Sequence, residues 1–109
     1  MTTRAGFVVL LGLAVAAAAC GSTAVPAPAQ ADVVRLSEKY PETTLADLQR
    51  GRQLYLSRCT SCHAPVEPAS ISPDKWPREV SEMSERASLG NEEPLVVKYL
   101  VAQSLRAQF

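Results

Sequence analysis

Positions 59–63 read Cys59-Thr60-Ser61-Cys62-His63, two thiols three residues apart with an imidazole directly after the second. This is the attachment signature of a c-type haem. The chemistry uses each member. The two thiolates add across the vinyl groups of the porphyrin as thioethers, and the histidine that follows is held under the iron as its proximal ligand. A chain with such a motif folds around the group it binds. Three blander readings are weaker. A zinc site takes four ligands, and Cys59, Cys62 and the only histidine supply three at most. A thioredoxin-like dithiol follows a strand in a βαβ pattern, whereas the residues before Cys59 carry helical spacing. A Cys59–Cys62 disulfide is sterically tight and leaves His63 without a role.

The 109 residues, with a formal charge of zero, suit one small domain. Residues 1–19 are expected to lie outside it. Arg4 gives a positive start, Phe7 to Ala19 form an uncharged apolar stretch, and Ala17-Ala18-Ala19 sets small residues before Cys20. The stretch reads as an export signal, too short for a spanning helix. Its end resembles a bacterial lipoprotein signal, with Gly21 and Ser22 after Cys20 and with Ala17 where such signals usually carry leucine. That resemblance implies acylation of Cys20 and attachment to a membrane through the lipid. It also accounts for an odd cysteine that otherwise invites pairing with another chain. Export and haem attachment agree, because c-type haem is attached outside the bacterial inner membrane. The expected compartment is the periplasm.

Without Arg4, ten of the eleven Lys and Arg remain against eleven Asp and Glu, with the signs interspersed. No basic stripe is present, which argues against a nucleic-acid partner. Strong electrostatic steering toward a single partner is not expected either.

Residues 20–40, with Pro26 and Pro28, are expected as a flexible Ala/Pro-rich tether anchored at Cys20, and residues 41–109 as the haem domain. In the domain, Leu45, Leu48, Tyr55 and Leu56, with small Gly51, suit a first helix between Thr43 and His63. Thr43 or Thr44 is its N-cap and Asp47 sits in its first turn. Pro65, Pro68 and Pro73 make the next stretch a loop beside the haem. A proline carbonyl there is a candidate acceptor for the second ring nitrogen of His63. A second helix is expected from Ser72 or Trp76 to Ala87, with Trp76, Val80 and Met83 on one face and Arg78, Glu79, Glu82 and Glu85 on the other. Gly90 ends it. Asn91 caps a third helix, with Pro94 in its first turn and an apolar face of Leu95, Val96, Tyr99, Leu100, Gln103 and Leu105. No segment alternates as strands do, so the fold expected is all-α: three compact helices around one covalently attached haem. About 65 residues with few aromatics cannot make a self-sufficient core. The haem is expected at its centre.

What fills the position above the iron separates electron transfer from chemistry. His63 is the only histidine, and Met83 is the only methionine once Met1 leaves with the signal. Two histidines on one iron are therefore excluded within a protomer. A lone methionine on an apolar helix face is most often a core residue. Thioether ligation by Met83 gains from its place twenty residues after His63, beyond a proline loop and on the face of Trp76. A soft, neutral thioether raises the potential of the iron, as suits an electron shuttle. Trp76 is expected against the porphyrin with its N–H in reach of a propionate, or else as ordinary core filler.

Over residues 44–105 the chain resembles the small class I-like bacterial c-type cytochromes. Gly51 stands eight residues before Cys59 and Tyr55 four before it, and Trp76-Pro77-Arg78-Glu79-Val80-Ser81-Glu82-Met83 is similar to the Trp-to-Met segment of a compact subgroup. The resemblance implies that Gly51 lets the first helix cross the last one closely against Tyr99, and that Met83 is the distal iron ligand. The chain departs from larger relatives in its short span from His63 to Met83, which implies a more open haem edge.

The function expected is a monohaem electron carrier without catalytic activity, passing single electrons between redox protein partners outside the cytoplasmic membrane as a monomeric domain. Two alternatives stay open: a haem protein with a vacant sixth site, acting as a gas sensor or peroxidase-like enzyme, and a dedicated haem subunit of a membrane oxidoreductase.

Overall fold

The computed structural model of the chain describes residues 25–108. The expected export signal at 1–19 and the expected lipidation site Cys20 lie outside the described residues. The described residues form four α-helices: α1 Gln30–Leu36, α2 Leu45–Leu54, α3 Trp76–Ser84 and α4 Glu93–Arg106. Among the described residues there is no strand, and no helix is long and apolar enough to cross a membrane. The all-helical expectation is met. The count of three helices is corrected to four, because α1 forms inside the stretch expected as tether.

Helix α4 is the axis on which α1, α2 and α3 all pack. It is therefore buried well beyond a single face, Val97, Val101, Ala102 and Ser104 joining Val96, Tyr99, Leu100 and Gln103. Helix α2 starts where local chemistry dictates. The Thr44 hydroxyl accepts from the Asp47 amide at 3.1 Å while the Asp47 carboxylate accepts from the Thr44 amide at 2.9 Å, which satisfies two donors with no intrahelical partner. Seven residues on, α2 crosses α4 at Gly51. A Cβ there would strike the Leu95 carbonyl and lie 2.9 Å from the Tyr99 Cβ, so the close approach requires glycine. The crossing of Gly51 against Tyr99 is thus as the resemblance implied.

The N-terminal boundary is corrected. Residues 25–40, expected within the tether, pack into the fold: Val25 and Leu36 are buried in the common core. The Val25 carbonyl accepts both Nε and Nη2 of Arg52 at 3.1 and 3.0 Å, and the Pro26 carbonyl accepts the Tyr99 hydroxyl at 2.6 Å. At the start of α1, Asp32 is completely buried. It accepts from Arg106 at 2.6 Å, from Arg35 at 2.6 Å and from the Ala29 amide at 2.7 Å. A carboxylate this dry persists only where charge and hydrogen bonds replace its lost water. Arg35 and Ala29 are local partners, but Arg106 comes from the far end of α4, which composition around residue 32 cannot reveal.

The ends of the second and third expected helices also move. Helix α3 stops at Ser84, and its terminal turn is closed by Ser88, which takes a left-handed conformation at φ +52° while the Leu89 amide donates back to the Ser84 carbonyl at 3.0 Å. Gly90, left-handed at φ +54°, opens a short 3₁₀ turn over Gly90–Glu92 instead of ending α3. Helix α4 begins after it with Glu92 at the cap position, so Asn91 is not the N-cap.

Candidate functional site

Helix α2 does not run straight into the cysteine motif. Its last turn widens into a π-type turn over Tyr55–Cys59, which carries Tyr55 and Cys59 onto the inner side. Such widened turns are uncommon and concentrate at functional sites. The chain then turns through residues 60–62 on side-chain bonds: the Thr60 hydroxyl donates to the Leu56 carbonyl and the Ser61 hydroxyl to the Arg58 carbonyl at 3.1 Å. Two adjoining depressions result, both lined by Cys59, His63 and Met83. The first, of about 490 Å³ out to its open mouth, is walled by Tyr55, Val66, Ile71, Trp76, Glu79, Val80 and Leu100. The second adds Arg58, Cys62, Arg86 and Ala87.

Cys59 is half-buried, and burial pushes its thiol pKa up; Cys62 is exposed, and both thiols are free. His63 Nδ1 lies 2.8 Å from the Ala64 carbonyl. A carbonyl only accepts, so Nδ1 is the donor here, and in a neutral ring that tautomer leaves the Nε2 lone pair to a ligand. The expected proline acceptor is therefore corrected to Ala64. The Pro68 carbonyl instead takes the Trp76 indole N–H, at 3.0 Å and fully inside the protein. That bond corrects the expected reach of the indole toward a propionate. Trp76 walls the cleft with its donor already committed.

Met83 and Val80 line the cleft together with Trp76, as their spacing predicts. Glu79, expected on the outer face, is half-buried and joins them. The signal was available: at 100° per residue Glu79 falls only about 40° from Met83 on the helix wheel. Val66, Ile71 and Leu100 were missed as wall residues because a proline-rich loop has no periodicity and α4 is apolar on several sides. Tyr55 has a second task. Its hydroxyl donates to the Val66 carbonyl at 2.6 Å and so fixes the loop that follows His63. Burial lifts its pKa above that of a free phenol.

The donor set suits a covalently held porphyrin. The Cys59 thiol, the His63 imidazole and the Met83 thioether border the apolar cleft, the Cys62 thiol lines the adjoining depression, and Met83 and Val66 are each 39% exposed at the edge. Large apolar side chains left open around a concave site are the usual lining of a ligand pocket. Among the described residues no group of three or more His, Cys, Asp or Glu side chains is set to hold a bare metal ion, the arrangement zinc would require. Compared with known protein families, curated proteins and solved structures, the chain matches none.

Proposed function

We propose that the chain is a monohaem c-type cytochrome that carries single electrons between extracytoplasmic redox proteins. The observation that carries the reading is the convergence of Cys59, His63 and Met83 on one apolar cleft, with Cys62 on its adjoining wall. Cys59 and Cys62 would hold the porphyrin as thioethers, and His63 Nε2 and the Met83 sulfur would be the ligands offered to its iron. Bound there, the haem supplies an iron whose ferrous–ferric couple stores one electron. The chain's own part is to hold and shield. Ala64 orients the imidazole, Tyr55 and Trp76 pin the loop around it, and Val66, Ile71, Val80 and Leu100 would give the porphyrin an apolar wall to pack against.

Export and acylation at Cys20 belong to the same proposal, supported by residues 1–22 of the sequence. A second reading, a reactive haem with a vacant sixth site, is favoured by Glu79 and Arg86, polar groups that border the cleft beside Met83.

One experiment separates them. The full chain is expressed with haem-attachment machinery in a bacterial periplasm, and covalent haem is read from the mass. The optical spectrum is then taken after dithionite and again under carbon monoxide. The expected result is one haem and a low-spin ferrous spectrum unaltered by the gas. Prompt carbon monoxide binding would favour the open-site reading, and no covalent haem would overturn both.

A further inference from the structure

Two side-chain hydrogen bonds tie α3 to the segment that carries the cysteines and the histidine, one at each end of the helix. At the N-terminal end the buried Trp76 indole donates to the Pro68 carbonyl at 3.0 Å. At the C-terminal end Arg58 Nη1 donates to the Ser88 carbonyl at 2.9 Å, between two exposed residues. Among the described residues no other side-chain hydrogen bond joins residues 55–70 to residues 76–89.

The C-terminal end is the Met83 end. The Ala87 amide donates to the Met83 carbonyl at 2.9 Å, and the Leu89 amide to the Ser84 carbonyl at 3.0 Å. Ser88 stands left-handed between buried Ala87 and Leu89, which turns its carbonyl outward to Arg58. Arg58 directly precedes Cys59. The bond therefore runs from the motif with the thiols and imidazole to the turn that fixes the backbone of the thioether. The two ends differ in strength. Breaking the buried indole bond strands a donor and an acceptor away from water, whereas an exposed guanidinium and carbonyl rehydrate as they part. Local opening of α3 is therefore expected to start at the Met83 end.

We propose that Arg58 is a positioning residue for Met83, a latch that holds the thioether end of α3 over the cleft while the Trp76–Pro68 bond holds the other end. The assignment rests on the haem reading above and deepens it.

The test uses the full haem-loaded chain and its Arg58→Ala, Arg58→Lys and Met83→Ala variants. Ferric protein is titrated with imidazole as a small competitor for the sixth position, followed optically, and hydrogen exchange is measured at the Ala87, Ser88 and Leu89 amides. In Arg58→Ala the imidazole needed for half-displacement is expected to fall about two- to tenfold, with exchange at the three amides faster by a similar factor. Exchange within residues 76–80 is expected to stay unchanged, and lysine to restore part of the loss. An unchanged imidazole requirement overturns the assignment even if exchange quickens, because the bond is then structural only. If Met83→Ala takes imidazole no more readily than the parent, the thioether assignment has failed and the latch falls with it. If the parent carries no covalent haem, the haem reading has failed, and the exchange data separate that outcome from loss of the Arg58 bond.

Discussion

The Asp32 carboxylate, with no exposure to solvent, accepts Arg106 Nη2 at 2.6 Å and thereby joins the first helix to the last. Arg35 and the Gln103 amide complete the cage, the latter at 3.4 Å. Asp32→Asn removes the charge and leaves two guanidinium groups facing a neutral amide. The expected loss is about 2–3 kcal/mol, read from urea denaturation at neutral pH. A loss under about 0.5 kcal/mol would show that α1 is only loosely docked.

The same carboxylate makes stability acid-sensitive. Burial alone pushes its pKa up, but hydrogen bonds from Arg106 and the Ala29 amide, the Arg106 charge and the Gln103 bond outweigh that, and the net pKa is lowered. As pH falls, the unfolded chain takes up the proton first. The contribution is thus complete above the ordinary carboxylate range and is lost as pH drops through the folded pKa, below about 4. Denaturation midpoints are expected to decline across that window in the parent and more shallowly in Asp32→Asn. Equal slopes would remove Asp32 from the acid response.

Gly51→Ala tests the crossing of α2 and α4. In an open helix alanine gains about 1 kcal/mol over glycine. Here the added Cβ meets the Leu95 backbone carbonyl, which cannot swing away, and the Tyr99 Cβ. The sign is expected to reverse, to a loss of about 3 kcal/mol and a fall in Tm on the order of 10–20 °C. A variant as stable as the parent would show that the two helices are not in close contact at Gly51.

Tyr55→Phe keeps the ring and deletes the bond to Val66. Val66 is exposed, so water can replace the lost donor, and the global cost is expected to be about 1 kcal/mol. The local effect is larger: proteolysis and amide exchange over residues 63–67 are expected to quicken while α4 is unaffected. Uniform quickening would mean that the hydroxyl serves the whole fold and not this loop.

Met83→Ala bears on the proposed sixth ligand. Loss of the thioether is expected to lower the reduction potential by on the order of 0.1 V and to admit carbon monoxide to the ferrous protein. A potential equal to the parent's would sink the ligand assignment, whatever the stability of the variant.

How far the molecule was legible follows from the range of the forces involved. The Thr44–Asp47 cap, the Trp76–Val80–Met83 face and the cysteine–histidine run are set by neighbours within a few residues. Spacing rules see such neighbours, and the chain alone therefore determined an all-helical fold and the candidate site. Glu79 lay within the same rules and was passed over for its charge. Tertiary structure decided the rest. Ala/Pro-rich composition from residue 20 to 40 reads as a tether because local propensity cannot register a partner 74 positions away, which is where Asp32 finds Arg106. Which carbonyl His63 and Trp76 would meet, Ala64 and Pro68, depended on how a loop without periodicity folded back on itself. A buried charge or donor goes where the packed chain offers a partner, and only the assembled helices settle where that is.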